Sequence, residues 1–331
     1  MIEIEKKSLR KYNFIDLFSG LGAFRLALES LGAVCVFSSE INQSVRAVYM
    51  KNFGEEPVGD ITNVDEKKIP DHDILCAGFP CQAFSISGKQ RGFEDSRGTL
   101  FFDVARIVKA KRPKVVFLEN VRQFATHDGG KTLKVVKRTM EDLGYFFYQK
   151  VLNAVDYGIP QKRERIYMVC FRKDEHVGSD IEFEFPKPVP LIKHVEDFLL
   201  DDEKALQDLY VDRDDVVLRV TPKGELCNKT IRIGQVNKGG QGERIYSPKG
   251  CAITLSAHGG GIFAKTGGYL IKGRIRKLHP RECARIMGFP ESYQISEHKN
   301  QAYTQFGNSI VVDVLQYIAL EISKTLESKK R

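Results

Sequence analysis

The chain has 331 residues, 42% of them hydrophobic, and a net charge of +8, which is material for one large domain or two unequal ones. No run approaches the roughly 18 to 20 apolar residues of a membrane span, and the opening MIEIEKKSLRKYNF lacks the apolar stretch of a secretion signal. Seven scattered cysteines without a C-x-x-C pair give neither a zinc site nor a disulfide framework, so a reduced, cytoplasmic protein with no metal is expected.

In chain order, Phe14–Phe18, Val34–Phe37, Asp73–Cys76 and Val115–Leu118 predict buried strands. Between them, Phe24, Leu28 and Leu31 fall at helical spacing, and Phe102–Lys111 and Leu133–Leu143 predict further helices. Strand–helix alternation implies a mostly parallel sheet covered on both faces, with ligands at the carboxyl ends of its strands. Ile166–Phe171 reads as another strand. Pro186, Pro188 and Pro190 then suggest a boundary. Residues 229–275 are rich in glycine with short β-like runs such as Ala252–Leu255, and predict a small, mostly β second domain. Val311–Leu326 has the spacing of an amphipathic helix returning to the first domain. The expected division is 1–190 for catalysis and cofactor, 191–303 for target recognition and a hinge, and 304–331 for the returning helix.

Charge is unevenly placed. Lys229 to Arg285 holds 12 Lys/Arg against Glu243 and Glu282, leaving the rest of the chain slightly acidic. Such a segment suits a polyanion, although a merely solvated face has the same composition.

Four clusters carry chemistry. In Phe14–Gly22 a strand enters a glycine turn, where backbone can approach a ligand closely. Glu40 follows the second strand, as a ribose-binding carboxylate does in dinucleotide folds, but Arg25 occupies the third glycine position of that fingerprint. A nucleotide-type cofactor and a structural turn both fit. Next, Gly78-Phe79-Pro80-Cys81-Gln82 puts a cysteine on a strand-end loop, outside any apolar run. Cys76 and Cys170, inside apolar strands, read as small buried hydrophobes. Glu119-Asn120-Val121 ends the fourth strand with a carboxyl group able to act as acid or hydrogen-bond partner. In Gln161-Lys162-Arg163-Glu164-Arg165, strand alternation puts Arg163 and Arg165 on one face, where both could reach one ligand. Singly, each of these also reads as a solvated ion pair.

Taken in order, the glycine turn, Pro-Cys-Gln, Glu-Asn-Val, Gln-x-Arg-x-Arg, a basic insert, Arg281-Glu282 and Gly307-Asn308-Ser309 resemble the cytosine-C5 DNA methyltransferase family. The resemblance spans nearly the whole chain. It implies an S-adenosylmethionine-dependent methyltransferase (Rossmann-like) α/β sheet with helices on both faces, plus a glycine-rich recognition domain. It implies transfer of a methyl group to C5 of a cytosine flipped out of double-stranded DNA, S-adenosylhomocysteine being the product. Cys81 would add to C6, Glu119 would bond or protonate N3, and Arg165 would hold O2 with Arg163 in support.

Carried over residue by residue, cofactor contacts fall on Phe18, Gly20, Leu21, Gly22, Glu40, Asp60, Ile61, Pro80, Leu100, Asn308 and Ser309. DNA contacts fall on Ser87, Arg232, Gln241, Arg244, Thr254 and Ser256. Gln241 would fill the gap left by the flipped base, and Arg244 suits a guanine edge. The likeness in detail to one member of the family implies GCGC, methylated at its first inner cytosine, and a companion restriction endonuclease that acts on the same site without forming a complex. Three departures bear on this: Ile41 where tryptophan is expected, Ala23 for glycine and His258 for tyrosine. An RNA cytosine methyltransferase, a catalytically silent DNA reader and an NAD-dependent enzyme are the alternatives. The first lacks a second Pro-Cys, the second does not need Cys81, Glu119 and Arg165, and the third leaves Pro-Cys and the basic insert without a use.

Overall fold

The computed structural model describes residues 8–80, 100–173, 182–219 and 228–327. Cys81 and Ser87 lie outside the described residues, as does Cys227. By internal packing the chain divides into two compact units. The first takes in the chain up to Leu152, Glu164–Pro186 and everything from Leu315 onward. The second consists of Asn153–Arg163 and Lys187–Val314. The sequence reading set its divisions near 190 and 303, whereas the packing divides at 186 and 314, with 153–163 grouped with the second unit.

The first unit is built on β1 (Asn13–Leu17), α1 (Ala23–Ser30), β2 (Val34–Ser39), α2 (Gln43–Phe53), β3 (Ile74–Ala77), α3 (Leu100–Lys111), β4 (Val115–Val121), α4 (Lys131–Asp142), β5 (Tyr145–Asn153) and β6 (Glu164–Arg172). The strands form one sheet in the order β2-β1-β3-β4-β6-β5. β1 runs parallel to β2 and β3, β3 runs parallel to β4, and β4 pairs antiparallel with β6. Alternation sends Ile15, Leu17, Leu75, Val116, Leu118 and Met168 to one face, where they pack against Phe101, Val104 and Val108 of α3 and Leu133, Val136 and Met140 of α4. The opposite face receives α1, whose Phe24 meets Phe117 edge-on at 5.0 Å. Both faces are therefore covered, as near-continuous apolar strands require.

The second unit holds α5 (Glu203–Leu206), a five-stranded sheet of β7 (Val217–Leu218), β8 (Arg232–Gln235), β9 (Arg244–Tyr246), β10 (Gly268–Ile271) and β11 (Arg274–Lys277), then α6 (Pro280–Ile286) and α7 (Lys299–Asn308). Ile233, Val236, Ile245 and Phe263 form one buried cluster beneath this sheet, and Leu278, Ile286, Met287, Phe289, Tyr303 and Phe306 are buried further along the unit. The final helix, α8 (Val312–Glu327), continues into the first unit. There Gln316 donates to the Ser30 hydroxyl and Ser323 to the carbonyl of Ser8.

Two local expectations need correction. Ala252–Leu255 is not a strand: only Ala252 forms an isolated bridge, to Gln161. The polar groups of that run bond instead to Lys162, to the Gln161 side chain and to Arg163. Phe18 does not extend β1 either, because its φ of 56° turns the chain out of the strand. No described helix is long and apolar enough to cross a membrane.

Asp16, on β1 and fully buried, carries a stability consequence. Burial pushes its carboxyl well above the ordinary carboxylate range, against the pull of Arg25. The folded state therefore binds this proton more tightly than the unfolded chain. The favourable contribution is complete below about pH 4 and is lost as pH rises toward the folded value. Asp16→Asn should match the wild-type melting temperature near pH 4 and exceed it increasingly at neutral and alkaline pH. Calorimetry showing a constant difference across that range would contradict this.

Candidate active site

The turn after β1 is shaped by backbone that few residues tolerate. Phe18 and Gly22 both have positive φ, 56° and 76°. Ser19 N–H donates to the Ser39 carbonyl and Gly22 N–H to the Ser19 carbonyl, closing the turn onto β2. Gly22 also caps α1, and a Cβ there would sit 2.5 Å from the Phe53 ring. That ring stacks on the buried Arg25 guanidinium at 4.6 Å, while Arg25 Nε bonds Glu29 at 2.7 Å. The room that Gly22 leaves is thus filled by Phe53 and Tyr49, and Arg25, which departs from the dinucleotide fingerprint, packs on those two rings.

Glu40 stands at the end of β2. Its Oε2 accepts from Gly20 N–H at 3.0 Å and its Oε1 from Asn42 N–H at 2.8 Å. A carboxylate has about four acceptor positions, so capacity for further hydroxyl donors remains. Ile41 beside it is 69% exposed and Val58, paired with Ser39, is 44% exposed. Asp60 caps a short turn by accepting from Thr62 N–H, and Arg106 of α3 clamps the same turn through the carbonyls of Ile61 and Val64. Nothing in the helical spacing of Arg106 announces this role.

Beyond β3, Phe79 is buried between Phe101 at 5.7 Å and Phe124 at 5.5 Å, and leaves Pro80 exposed. The Asn120 side chain donates to the Phe79 carbonyl at 2.8 Å and accepts from Val121 N–H. Asn120 therefore fastens the end of β4 to the residues leading into Cys81. Its position within Glu-Asn-Val was legible in the sequence, but this partner 41 residues away was not.

Glu119 and Arg165 meet across β4 and β6. In the antiparallel register Glu119 opposes Tyr167 and Val121 opposes Arg165, so Glu119 and Arg165 are diagonal neighbours on one face. Arg165 Nε lies 3.1 Å from Glu119 Oε1, with both side chains largely buried. A partly desolvated acid and a guanidinium, side by side at a strand end, can take up charge that develops on one planar ring.

Arg163 does something different. It is 2% exposed, and its guanidinium donates to the carbonyls of Leu255 at 2.9 Å, Gly307 at 2.9 Å and Ser309 at 2.5 Å, all in the second unit. The expectation that Arg163 and Arg165 reach one ligand from a shared face is thus corrected: Arg163 precedes β6 and spends its donors on backbone. Gln161 joins the same bracing, accepting from Leu255 N–H and donating to the Met287 sulfur. Gly307 packs so tightly on Ser256 and Ala257 that a Cβ would lie 2.2 Å from the Ala257 nitrogen. Asn308 is exposed and Ser309 buried.

In the second unit, the turn Gln241–Glu243 follows β8, with Gln241 exposed and Arg244 opening β9. Arg244 Nε points to the Gly239 carbonyl at 3.4 Å, and Arg232 Nη2 donates to Gln235 Oε1 at 2.5 Å. A Cβ on Gly242 would lie 1.9 Å from the Gly260 carbonyl oxygen. Thr254 donates to the Lys162 carbonyl and Ser256 to that of His258 at 2.7 Å. The described cysteines are all buried, and burial raises the thiols of Cys76, Cys170, Cys283 and Cys35, the last to about 12. None of them is poised as a nucleophile.

Arg163→Ala leaves three buried carbonyls without their donor and should lower stability by about 2 to 4 kcal/mol in a urea titration. An unchanged midpoint would contradict the bracing role.

Comparison with known proteins agrees with this geometry. The family model described as C-5 cytosine-specific DNA methylase matches residues 12–324. The chain is 64% identical over 329 residues to the type II methyltransferase M.HhaI of Haemophilus parahaemolyticus, covering 99% of each. It is 43% identical to M.NgoBI of Neisseria gonorrhoeae, covering 92% of this chain and 91% of that protein. Among solved structures, S. pombe Dnmt2 methyltransferase shares the fold with a TM-score of 0.71 at 20% identity, over 96% of this chain and 99% of that one. On the family match and this identity along its whole length, the chain belongs to the C-5 cytosine-specific DNA methylases, enzymes that methylate cytosine at C5 in DNA.

Proposed function

We propose that this enzyme methylates the first inner cytosine of GCGC in duplex DNA, using S-adenosylmethionine, with Cys81 as nucleophile and the Glu119–Arg165 pair as its electrophilic partner. The observation that carries the reading is that pair, 3.1 Å apart and largely buried, with the adjacent Asn120 bonded to Phe79, two residues before Cys81. The target sequence rests on the 64% identity to M.HhaI.

C5 of cytosine is a weak nucleophile. When the Cys81 thiolate forms a bond to C6, electron density moves through the ring toward N3 and O2, and C5 gains enamine character. Glu119 bonds or protonates N3, and Arg165 holds O2, so the added charge is met by groups already in position. S-adenosylmethionine, when bound, supplies an electrophilic methyl group, which C5 takes. Loss of the C5 proton to water, return of any proton on N3 to Glu119 and expulsion of the thiolate restore the aromatic ring and the free cysteine, with S-adenosylhomocysteine as the co-product. Arg163 serves this reaction only indirectly, through the backbone it braces.

The cofactor contacts we assign are Phe18, Gly20, Leu21, Gly22, Glu40, Asp60, Ile61, Pro80, Leu100, Asn308 and Ser309. The Gly20–Gly22 turn and the spare acceptor capacity of Glu40 fit a nucleoside. Ile41 and Val58 offer an aliphatic surface to a planar ring where an aromatic one is usual. Duplex contacts are assigned to Ser87, Arg232, Gln241, Arg244, Thr254 and Ser256. Extruding the base costs a few kcal/mol, which Gln241 offsets by occupying the vacated space. The enzyme would act in the cytoplasm beside an endonuclease that cuts the same site without binding to it.

Bisulfite sequencing of DNA from cells expressing the chain should show protection at the first inner cytosine of GCGC and nowhere else. Cys81→Ser should abolish that protection while retaining duplex binding. Methylation by the serine variant at the wild-type rate would sink the nucleophile assignment, and a different protected sequence would sink the target.

A further inference from the structure

The loop carrying Gln241 is held by a chain of polar side chains that begins well outside it. Arg213 grips Asp215 through two bonds, Nε to Oδ1 at 2.6 Å and Nη2 to Oδ2 at 2.9 Å. The same Nη2 donates to Asn237 Oδ1 at 2.9 Å, and Asp215 Oδ2 accepts from Asn237 N–H at 2.9 Å. Asn237 Nδ2 donates onward to Glu243 Oε1 at 3.0 Å, and Glu243 Oε2 accepts from Gly240 N–H at 2.8 Å. Four side chains thus connect the 213–215 turn to both ends of the Gly239–Glu243 loop.

Both ends of this chain are anchored. Val211 and Val216, flanking Arg213 and Asp215, pack against the core of Ile233, Val236, Ile245 and Phe263. Val211 N–H also donates to the Ile275 carbonyl. Asn237 has a φ of 46°, a left-handed conformation that asparagine accepts more readily than most residues. The electrostatics agree with the geometry. Arg213, with help from Asn237 N–H, holds the Asp215 carboxyl at about 2, and Gly240 N–H with the Asn237 amide lowers that of Glu243. Isolated exposed pairs contribute little, but a connected network fixes orientation.

We propose that Arg213, Asp215, Asn237 and Glu243 are positioning residues that preset the loop for duplex binding and insertion of Gln241. They act through the loop and touch neither base nor cofactor. This inference rests on the reading of Gln241 given above. Presetting a loop lowers the ordering cost paid on binding, so its loss should raise KM for DNA and spare the chemical step.

Asn237→Asp provides the test. It keeps the left-handed preference and the acceptor for Arg213, but replaces the donor facing Glu243 with a like charge. Expected are a KM for GCGC duplex raised about three- to tenfold, faster amide hydrogen exchange across 236–243, and unchanged KM for S-adenosylmethionine, single-turnover rate and melting temperature. Adding Glu243→Gln restores a donor–acceptor match and should return both KM and exchange toward wild type. A wild-type KM in Asn237→Asp, or a double variant no better than the single one, overturns the proposal. The loop reading is tested separately by Gln241→Ala, followed by fluorescence of 2-aminopurine at the target base. Normal base extrusion there would overturn the role of Gln241 and leave the exchange result standing.

Discussion

The antiparallel pairing of β4 with β6 sets the contact on which the chemistry depends, the carboxylate of Glu119 against the guanidinium of Arg165. In an all-parallel sheet a strand beside β4 would end at the same edge, and the residue preceding it would lie at the far end. Reversing β6 brings its first residues to the carboxyl end of β4. There the strand that carries Glu-Asn-Val and the one that opens Glu-Arg overlap by two diagonal positions. Asn120 then ties that corner to Phe79. A slip of one residue in this pairing would send Glu119 or Arg165 to the opposite face.

The two arginines of the Gln-x-Arg-x-Arg motif show how neighbouring residues with the same chemistry divide their work. Arg165 keeps a charged partner at the strand end, where a ring carrying excess electron density can share it. Arg163 is buried with three carbonyls around it, and fixes Leu255, Gly307 and Ser309. Planar guanidinium geometry suits both tasks, and lysine would suit neither. Gln161 and Arg163 explain why the 252–255 run forgoes a regular ladder.

Much of the sheet was legible in the sequence because its strands are buried on both faces and read as apolar runs: Val115–Leu118 stands out without any structure. Helix α3 was visible from its period, and α8 from the spacing of Val314, Leu315, Ile318 and Ile322. Helix α2 was not, since the apolar residues of Gln43–Phe53 are scattered and it buries only the adjacent Val48 and Tyr49, which trace no helical stripe. The strands of the second unit are two to four residues long, too short for periodicity to show. The motifs located Glu119, Arg165 and Glu40, because chemistry limits residue type there. They could not reveal the Asn120–Phe79 bond, the Arg106 clamp or the Asn237 brace, which depend on partners distant in sequence and on ordinary polar residues.

Transient addition of the Cys81 sulfur to a cytosine, whose ring charge Glu119 and Arg165 absorb, is the step on which methyl transfer depends. The direct measurement replaces the target cytosine of a GCGC duplex with 5-fluorocytosine and supplies S-adenosylmethionine. Fluorine cannot leave as the proton does, so the enzyme should remain covalently joined to the DNA on a denaturing gel, with the adduct mapped by mass spectrometry to the peptide containing Cys81. Methylation of the natural duplex with no adduct on the fluorinated one, or an adduct on another residue, would contradict it.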